Sequence, residues 1–278
     1  MTAIIAGNGA LPIEVAEQLS SRGEAVLMLG IMGEARAQIE DYPHDYIAWE
    51  KVGRLFRVMK ERGVTRVCLA GGVVGRPELK LRNLDMGGII NLPGMLAAML
   101  AGDNTLLSAV IERFERNGFP VVSLSNLVPE LIARPGENAQ VKVPKAERAR
   151  LSLGMEVVHA LGPYDIGQAC VAIGNRVVAV EGVEGTDGML QRIVDLRRSG
   201  RLPEKRGGVL VKCMKPTQDE RADLPTIGPD TLLRADDAGL VGIGVEAGKA
   251  VIVERHAMQK LAREKGIFVH GIKEADAR

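Results

Sequence analysis

The chain has 278 residues, a formal net charge of +1 and 46% hydrophobic residues, enough for two domains with apolar cores. Aromatic residues make up only 3%, and no stripe of lysine and arginine stands out. This composition argues against nucleic acid as a partner, because single strands need stacking platforms and duplexes need a basic surface. The three cysteines lie far apart inside apolar runs, which predicts buried thiols in a reducing cytoplasm rather than disulfides.

The start of the chain does not look like a secretory signal, because Met1 to Ile5 lacks a basic segment and leads directly into an apolar strand. The longest uncharged run, Met86–Gly102, is interrupted by glycines and a proline, and a spanning helix needs about 20 apolar residues. We therefore expect a cytoplasmic protein that touches a membrane only at its surface.

Apolar strand-like runs alternate with helix-like segments through the first half of the chain, a pattern typical of a parallel sheet covered by helices. The predicted strands are Thr2–Ala6, Ala25–Leu29, Arg66–Ala70 and Pro120–Leu124, and the predicted helices are Pro12–Arg22, Glu50–Arg62 and Asn104–Asn117. Residues 1–134 are thus predicted to form a Rossmann-like domain that binds a nucleotide or another substrate.

The second half of the chain has a different texture. Residues 135–145 are polar, contain two prolines and a glycine, and are interpreted as a linker. Residues 146–278 are predicted to form an α+β domain with a mixed sheet. Its expected elements are the hairpins Ala169–Ile173 with Arg176–Val180 and Leu240–Val245 with Ala250–Glu254, and the helices Ala146–Ala160, Gly188–Arg198 and His256–Lys265.

Two glycine-rich turns are predicted at one edge of the parallel sheet. Gly7-Asn8-Gly9 follows the first strand and leads to Leu11 in a helix, and Gly71-Gly72 follows the third strand, with Arg76 beyond it. Glycine lets a backbone approach a phosphate, and a helix N-terminus favours an anion. The third glycine of a dinucleotide fingerprint is replaced by Pro12, which disfavours a nicotinamide cofactor. A nucleotide, a sugar nucleotide or a plain tight turn remains open.

A stripe of leucines and methionines at helical spacing has two interpretations. Such a stripe is more often part of a core, but flexible methionines can also adapt to an acyl chain. Its members are Leu92, Met95, Leu96, Met99 and Leu100.

Acidic residues gather before the helix predicted at residue 188. Thr186 or Asp187 is a natural helix cap, which explains either residue structurally. Alternatively, Asp187 with Glu181 and Glu184 could hold a hard cation, since Mg²⁺ prefers a few carboxylates plus substrate oxygens.

The most chemically dense segment is Val211–Gly228, which follows an apolar strand and turns abruptly polar. Asp223 precedes Leu224-Pro225, and the proline restricts the backbone before it to an extended form, so the carboxylate is presented rigidly to a cation or a water. Lys212 and Lys215 could neutralise charge on a phosphoryl group. The alternative is a salt-bridged surface loop, in which Asp219, Glu220 and Arg221 brace the backbone.

Several enzyme classes lack support in the sequence. The four histidines show no metal-ligand spacing, and the chain contains no G-x-S-x-G, Walker lysine or paired C-x-x-C motif. Serine hydrolases, P-loop ATPases and zinc-site proteins are therefore disfavoured.

Four segments together resemble the LpxI family, the UDP-2,3-diacylglucosamine diphosphatases of lipid A biosynthesis. They are IAGNGALP (residues 5–12), LAGGVVGRPEL (69–79), KCMKPTQDERADLPTIG (212–228) and VGIGVEAGKAVIVER (241–255). The resemblance implies that water cleaves the pyrophosphate of this UDP-sugar to UMP and 2,3-diacylglucosamine 1-phosphate, with Mg²⁺ as cofactor. It also implies a cleft between two domains, and it places the family's essential aspartate at Asp223.

The resemblance and the residues together define a hypothetical site. Asp223, Lys215 and Lys212 are its catalytic candidates, and Asp223 and Asp187 its metal ligands. The substrate-binding candidates are Gly7, Asn8, Gly9, Leu11, Gly71, Gly72, Thr186, Asp187, Gln218 and Thr226. The expected partners are the lipid-linked UDP-sugar and, transiently, the inner face of the cytoplasmic membrane; the oligomeric state is open. The rival hypotheses are a nucleotide-sugar oxidoreductase and a non-catalytic sugar-nucleotide sensor.

Overall fold

The computed structural model describes residues 1–48, 50–73, 103–216 and 218–273. The chain forms two compact units: the first comprises Met1–Pro129 with Asp219–Asp223, and the second comprises Glu130–Gln218 with Leu224–Arg278. Arg76 and the leucine–methionine stripe lie outside the described residues. Among the described helices, none combines the length and the apolar character needed to cross a bilayer.

The first unit contains a parallel sheet, as the sequence predicts. Its strands are β1 (Thr2–Ala6), β2 (Val26–Ile31), β3 (His44–Ile47) and β4 (Arg66–Ala70), in the order β3-β2-β1-β4. The helices are α1 (Leu11–Ser21), α2 (Val52–Glu61), α3 (Asp103–Arg116) and α4 (Leu124–Leu127). This order matches the predicted Rossmann-like domain. The strand order reverses between β1 and β4, and open α/β sheets generally bind ligands at such a point, outside the carboxyl ends of the strands.

Two strand predictions in the first unit need correction. The edge strand β3 was not predicted, because three of its four residues are only partly buried and the segment lacks an apolar run. Conversely, the strand expected at Pro120–Leu124 is reduced to one parallel bridge between Val121 and Val67. Pro120 has no amide to donate to a ladder, and the chain enters α4 at Leu124.

The second unit contains a six-stranded mixed sheet, as expected. Its strands are β5 (Gly136–Glu137), β6 (Ala169–Ile173), β7 (Arg176–Val180), β8 (Val209–Lys212), β10 (Gly242–Glu246) and β12 (Phe268–Ile272), in the order β5-β12-β10-β8-β6-β7. The central strands β8, β10 and β12 are parallel, and the others pair antiparallel. A separate parallel pair joins β9 (Thr226–Ile227) to β11 (Val251–Ile252).

Helices cover the mixed sheet. They are α5 (Lys145–Leu161), α6 (Gly185–Arg198), α7 (Pro229–Asp237) and α8 (Arg255–Lys265), with a 3₁₀ turn at Gly162–Tyr164. Leu151, Met155 and Val158 of α5 pack into an apolar cluster with residues of β6 and β8. The interior positions of α6, α7 and α8 belong to a second apolar cluster.

The first predicted hairpin is confirmed by the antiparallel pairing of β6 with β7. The prediction of a second hairpin, Leu240–Val245 with Ala250–Glu254, is wrong. β10 pairs with β8 and β12, whereas β11 pairs with β9. A turn does follow β10, but both edges of this central strand are already occupied by neighbours. Residues 135–145, interpreted as a linker, contribute the edge strand β5 to the sheet of the second unit.

The three cysteines are reduced and buried, as predicted. Burial raises the pKa of Cys68 and of Cys170 to about 12, so both thiols are protonated at neutral pH. They act as small apolar side chains of the two cores.

Candidate active site

The two glycine-rich turns of the first unit bind each other at the carboxyl ends of β1 and β4. The amide of Asn8 donates to the carbonyl of Gly72 (2.7 Å), and the amide of Gly72 donates to the carbonyl of Asn8 (3.1 Å). A Cβ on Gly7 would collide with the Gly72 carbonyl, and Gly71 has a φ of +85°. Glycine is needed here because two backbones approach each other closely.

This pairing explains the glycines by contact between two backbones rather than by contact with a phosphate. The amides of Gly7, Asn8 and Gly72 donate to backbone carbonyls, and that of Gly9 donates to Asn8 Oδ1 (2.7 Å). These four donors are thus engaged inside the protein rather than aimed at a phosphate. Asn8, Gly71 and Gly72 are exposed at the edge where α1 begins, while Leu11 is buried. The substrate-binding role of these residues stays a prediction.

The segment Asp219–Asp223 groups with the first unit, where Arg221 braces it. The Arg221 guanidinium donates to Asp219 (Nη2 to Oδ2, 2.7 Å) and to Glu115 of α3 (Nη1 to Oε1, 2.6 Å). The hydrogen bond from Arg221 holds the pKa of Asp219 below its ordinary value. Ala222 packs against the apolar cluster of this unit, and the next residue, Asp223, is exposed. Asp219 and Arg221 therefore brace the backbone, as the salt-bridged alternative predicts for them.

In the second unit, a basic loop follows β8 at the carboxyl ends of the parallel strands. Lys212 is 7% exposed, and its ammonium donates to the Thr226 carbonyl at 3.3 Å. Lys215 is 9% exposed and pairs with Asp165 (Nζ to Oδ1, 2.5 Å). Gln218 closes the loop, because its amide donates to the Lys215 carbonyl (2.9 Å). The structure therefore brings Lys212, Lys215, Gln218 and Thr226 into one region.

Lys212 differs from Lys215 in its electrostatic environment. Among the described residues, no carboxylate lies within ion-pair distance of the Lys212 ammonium, whereas Asp165 neutralises Lys215. The Thr226 carbonyl accepts a hydrogen bond from this ammonium but carries no opposite charge. An anionic ligand beside Lys212 would therefore be favourable, because a buried charge is costly unless it is also paired.

A buried carboxylate, Glu246, lies at the end of the adjacent strand β10 and is 2% exposed. Its Oε2 accepts hydrogen bonds from His159 Nε2 and from the Met214 amide, both at 3.2 Å. Its Oε1 accepts one from Lys249 Nζ at 2.9 Å. Burial pushes the pKa of Glu246 upward, but the bonds from His159 and Lys249 outweigh it and hold the pKa below its ordinary value.

The acidic residues before α6 do not form one cluster. Thr186 Oγ1 donates to Glu181 Oε1 at 2.8 Å, Glu184 pairs with Arg192 at 3.2 Å, and Asp187 pairs with Arg234 at 3.0 Å. The cap interpretation is also wrong: α6 begins at Gly185, and Glu184 precedes it without a side-chain cap. Thr186 instead orients Glu181, whose other oxygen accepts the Gln168 amide.

One set of three metal-ligand side chains is found within the described part of the chain, and it was not predicted. His159, Cys213 and Glu246 place their ligand atoms within 4.8 Å of one another. Neither Asp187 nor Asp223 belongs to it. Asp165, His159 and Glu246 were missed by sequence reasoning, although Glu246 carried the same signal as Lys212, a charged residue at the end of an apolar strand.

The fold, with charged side chains at the ends of its strands, defines a two-domain α/β protein. Models of the LpxI N-terminal domain and the LpxI C-terminal domain match residues 1–131 and 134–270, respectively. The chain belongs to the LpxI family.

A curated relative agrees with this membership. The chain is 36% identical over 270 residues to the UDP-2,3-diacylglucosamine pyrophosphatase LpxI of Caulobacter vibrioides, covering 97% of this chain and 96% of that protein. Among solved structures, the UDP-glucose 4-epimerase of Thermus thermophilus in complex with NAD aligns over 98% of this chain and 86% of its own. Its identity of 13% and TM-score of 0.31 carry no argument about fold or function.

Proposed function

We propose that this protein hydrolyses the pyrophosphate bond of UDP-2,3-diacylglucosamine in lipid A biosynthesis. The observation that carries this assignment is the match of both domains to LpxI, together with 36% identity to a pyrophosphatase over 97% of the chain. Water attacks one phosphorus, and the bond from that phosphorus to the bridging oxygen breaks. The products are UMP and 2,3-diacylglucosamine 1-phosphate.

Lys212 and Lys215 are proposed to stabilise the charge that develops on the diphosphate. Preorganised cations in a dry site stabilise such charge more strongly than the same groups in water. Lys212 is the stronger candidate for direct contact, since it is buried and its described acceptor is a neutral carbonyl. Lys215 would exchange part of its bond to Asp165 for a phosphoryl oxygen.

Asp223 is proposed to orient the attacking water or to bind Mg²⁺. Its exposed carboxylate fits the oxygen donors that Mg²⁺ prefers, with substrate oxygens and water completing the shell. When bound, Mg²⁺ would neutralise charge on the diphosphate. Asp187 is the second candidate ligand, and its carboxylate would have to exchange its pairing with Arg234 for the cation.

The protein is proposed to work in the cytoplasm and to visit the inner face of the membrane, where a diacylated substrate resides. A patch of exposed apolar side chains supports this proposal: Tyr164 and Ile166 precede β6, and Val183, which is fully exposed, follows β7. The two segments are adjacent, because the Gln168 amide donates to Glu181 at 2.9 Å. Aromatic and aliphatic tips of this kind insert into the interfacial layer of a bilayer.

The activity is tested by incubating the purified protein with Mg²⁺ and UDP-2,3-diacylglucosamine in water enriched in ¹⁸O. We expect equal amounts of UMP and lipid phosphate, and the product that carries the heavy oxygen identifies the phosphorus attacked. Binding of the substrate without UMP release would instead identify a sensor. Nicotinamide fluorescence from the purified protein, with hydride transfer to the sugar nucleotide, would identify an oxidoreductase.

A further inference from the structure

Glu246 connects three elements of the second unit through one buried carboxylate. Its partners are His159 on α5, Lys249 in the turn after β10, and the backbone amide of Met214 in the basic loop. Two of the partners are side chains that carry or can carry positive charge. The third is a main-chain group between Lys212 and Gln218, so the carboxylate acts directly on the backbone of the loop that carries both candidate lysines.

The bond to Met214 replaces a missing rung of the sheet. The parallel ladder between β8 and β10 ends with Lys212 opposite Val245. After this pair, the segment that follows β10 no longer pairs with β8. The Ala247 amide donates instead to the Ile272 carbonyl (2.9 Å), and the Glu246 carbonyl accepts the Lys249 amide (3.2 Å). A buried amide without an acceptor is costly. The side chain of Glu246 supplies the acceptor for Met214 that the strand no longer offers.

We propose that Glu246 is a positioning residue that fixes the backbone of Met214 and thereby sets the geometry of Lys212 and Lys215. This inference rests on the proposed function, because it assigns those lysines to the diphosphate. The rest of the loop is held independently: Cys213 donates its amide to Gln168 (3.0 Å), and Pro216 packs against Gly162, where an added Cβ would lie 2.5 Å from the proline ring. Met214 is the loop residue whose backbone is held by a side chain of β10.

The same residues could be considered a metal site, because His159, Cys213 and Glu246 are all ligand types for a soft divalent cation. Two observations favour positioning. The carboxylate already accepts three hydrogen bonds, and a metal would have to displace at least the bond from His159. The Cys213 thiol is fully buried in the apolar cluster of α5, β6 and β8, where it packs as a small apolar side chain.

The test compares Glu246→Ala, Glu246→Gln and Cys213→Ala in the full-length protein. Glutamine keeps an oxygen that can accept the Met214 amide, whereas alanine removes it. Because misplacing a catalytic group by about 1 Å can cost on the order of 100-fold, we expect Glu246→Ala to lower kcat by about 30- to 100-fold with KM within about threefold. We expect Glu246→Gln to retain kcat within about fivefold, and Cys213→Ala to match the wild type within about twofold.

Hydrogen exchange of the peptide that contains Met214 provides a readout independent of turnover. We expect faster exchange in Glu246→Ala and wild-type protection in Glu246→Gln, both measured well below the melting temperature. Wild-type kcat or wild-type protection of that peptide in Glu246→Ala would overturn the positioning role, as would equal losses of kcat in the Ala and Gln variants.

Metal binding and failure of the proposed function give separate results. Stoichiometric Zn²⁺ binding by calorimetry, abolished in Cys213→Ala together with activity, would identify a metal site and overturn the positioning role. An inactive wild type would contradict the proposed function, and the exchange experiment would still decide whether Glu246 holds the loop.

Discussion

The ammonium of Lys215 lies 2.5 Å from Oδ1 of Asp165, a residue held in the left-handed region with a φ of 56°. Non-glycine residues adopt this conformation rarely, and it concentrates at functional sites. The pair joins the basic loop to the turn that precedes β6. It thus fixes the end of a side chain whose backbone lies next to Met214, the residue held by Glu246.

Asp165→Asn tests whether this pair orients Lys215. Asparagine tolerates the left-handed conformation, so the backbone is preserved while the charge is removed. The pair is partly exposed, so the free energy of unfolding should change by less than about 1 kcal/mol. We expect kcat to fall by about tenfold, a typical cost of losing a charged positioning contact. Measured UMP release at or above the wild-type rate would show that Asp165 does not assist Lys215.

Asp223→Ala is expected to abolish most turnover while leaving the fold intact. The side chain is exposed, so its removal should change stability by at most about 0.5 kcal/mol. Losing a group that orients water or a metal ion lowers kcat by about 10²- to 10⁴-fold. The matched control is Glu220→Ala, which removes another exposed carboxylate from the same segment and should retain near wild-type activity. Comparable rates in the two variants would remove Asp223 from the mechanism.

Arg197 is predicted to be a structural residue of the second unit. Its buried guanidinium donates to the carbonyls of Ala238 (2.8 Å), Lys205 (2.9 Å) and Gly207 (2.9 Å). Arg197→Met leaves these acceptors unsatisfied, which should lower the free energy of unfolding by about 3 kcal/mol. Urea denaturation measures the change, and Arg192→Met, at an exposed arginine of the same helix, should cost less than about 1 kcal/mol. Equal effects would contradict the structural role.

The depressed pKa of Glu246 predicts a pH dependence of stability. A carboxyl whose pKa is lower in the folded than in the unfolded protein stabilises the fold above its unfolded value. That value is ordinarily 4.5, and the contribution is lost as pH falls below it through the folded pKa. Melting temperatures measured from pH 7 to pH 3 should therefore decline more steeply for the wild type than for Glu246→Gln. Parallel curves would show that the folded and unfolded pKa values are equal.

The exposed apolar patch predicts vesicle binding. Val183→Asp, alone or with Tyr164→Asp, should reduce co-sedimentation with vesicles of phosphatidylethanolamine and phosphatidylglycerol, because a charge opposes insertion into the interface. Turnover of substrate dispersed in detergent should change little. Met32→Asp, at an exposed methionine of the first unit, serves as the control. Equal binding by all variants would exclude this patch as the contact.

The local sequence pattern was sufficient to predict those strands and loops that are defined by their own residues. The runs that became β1, β4, β6 and β8 are apolar and bounded by turns, and the parallel first unit follows from their alternation with helices. The basic loop after β8 was identified for the same reason, since polarity changes abruptly at Lys212. Strands that depend on their neighbours in the sheet were harder to predict. β3 is partly exposed, and β10 and β11 resemble a hairpin in sequence although each pairs with other strands.

The sequence by itself determined the fold class, the two glycine-rich turns and the charged segment after β8. Only the tertiary structure decided what these groups do to one another. It showed that the glycines serve the approach of two backbones, that Asp187 holds Arg234, and that Glu246 supplies an acceptor for Met214. The physical reason is that hydrogen bonds and ion pairs join residues far apart in the chain, such as Glu246 and His159. A local sequence pattern does not indicate which distant residue will pair with a given donor or acceptor.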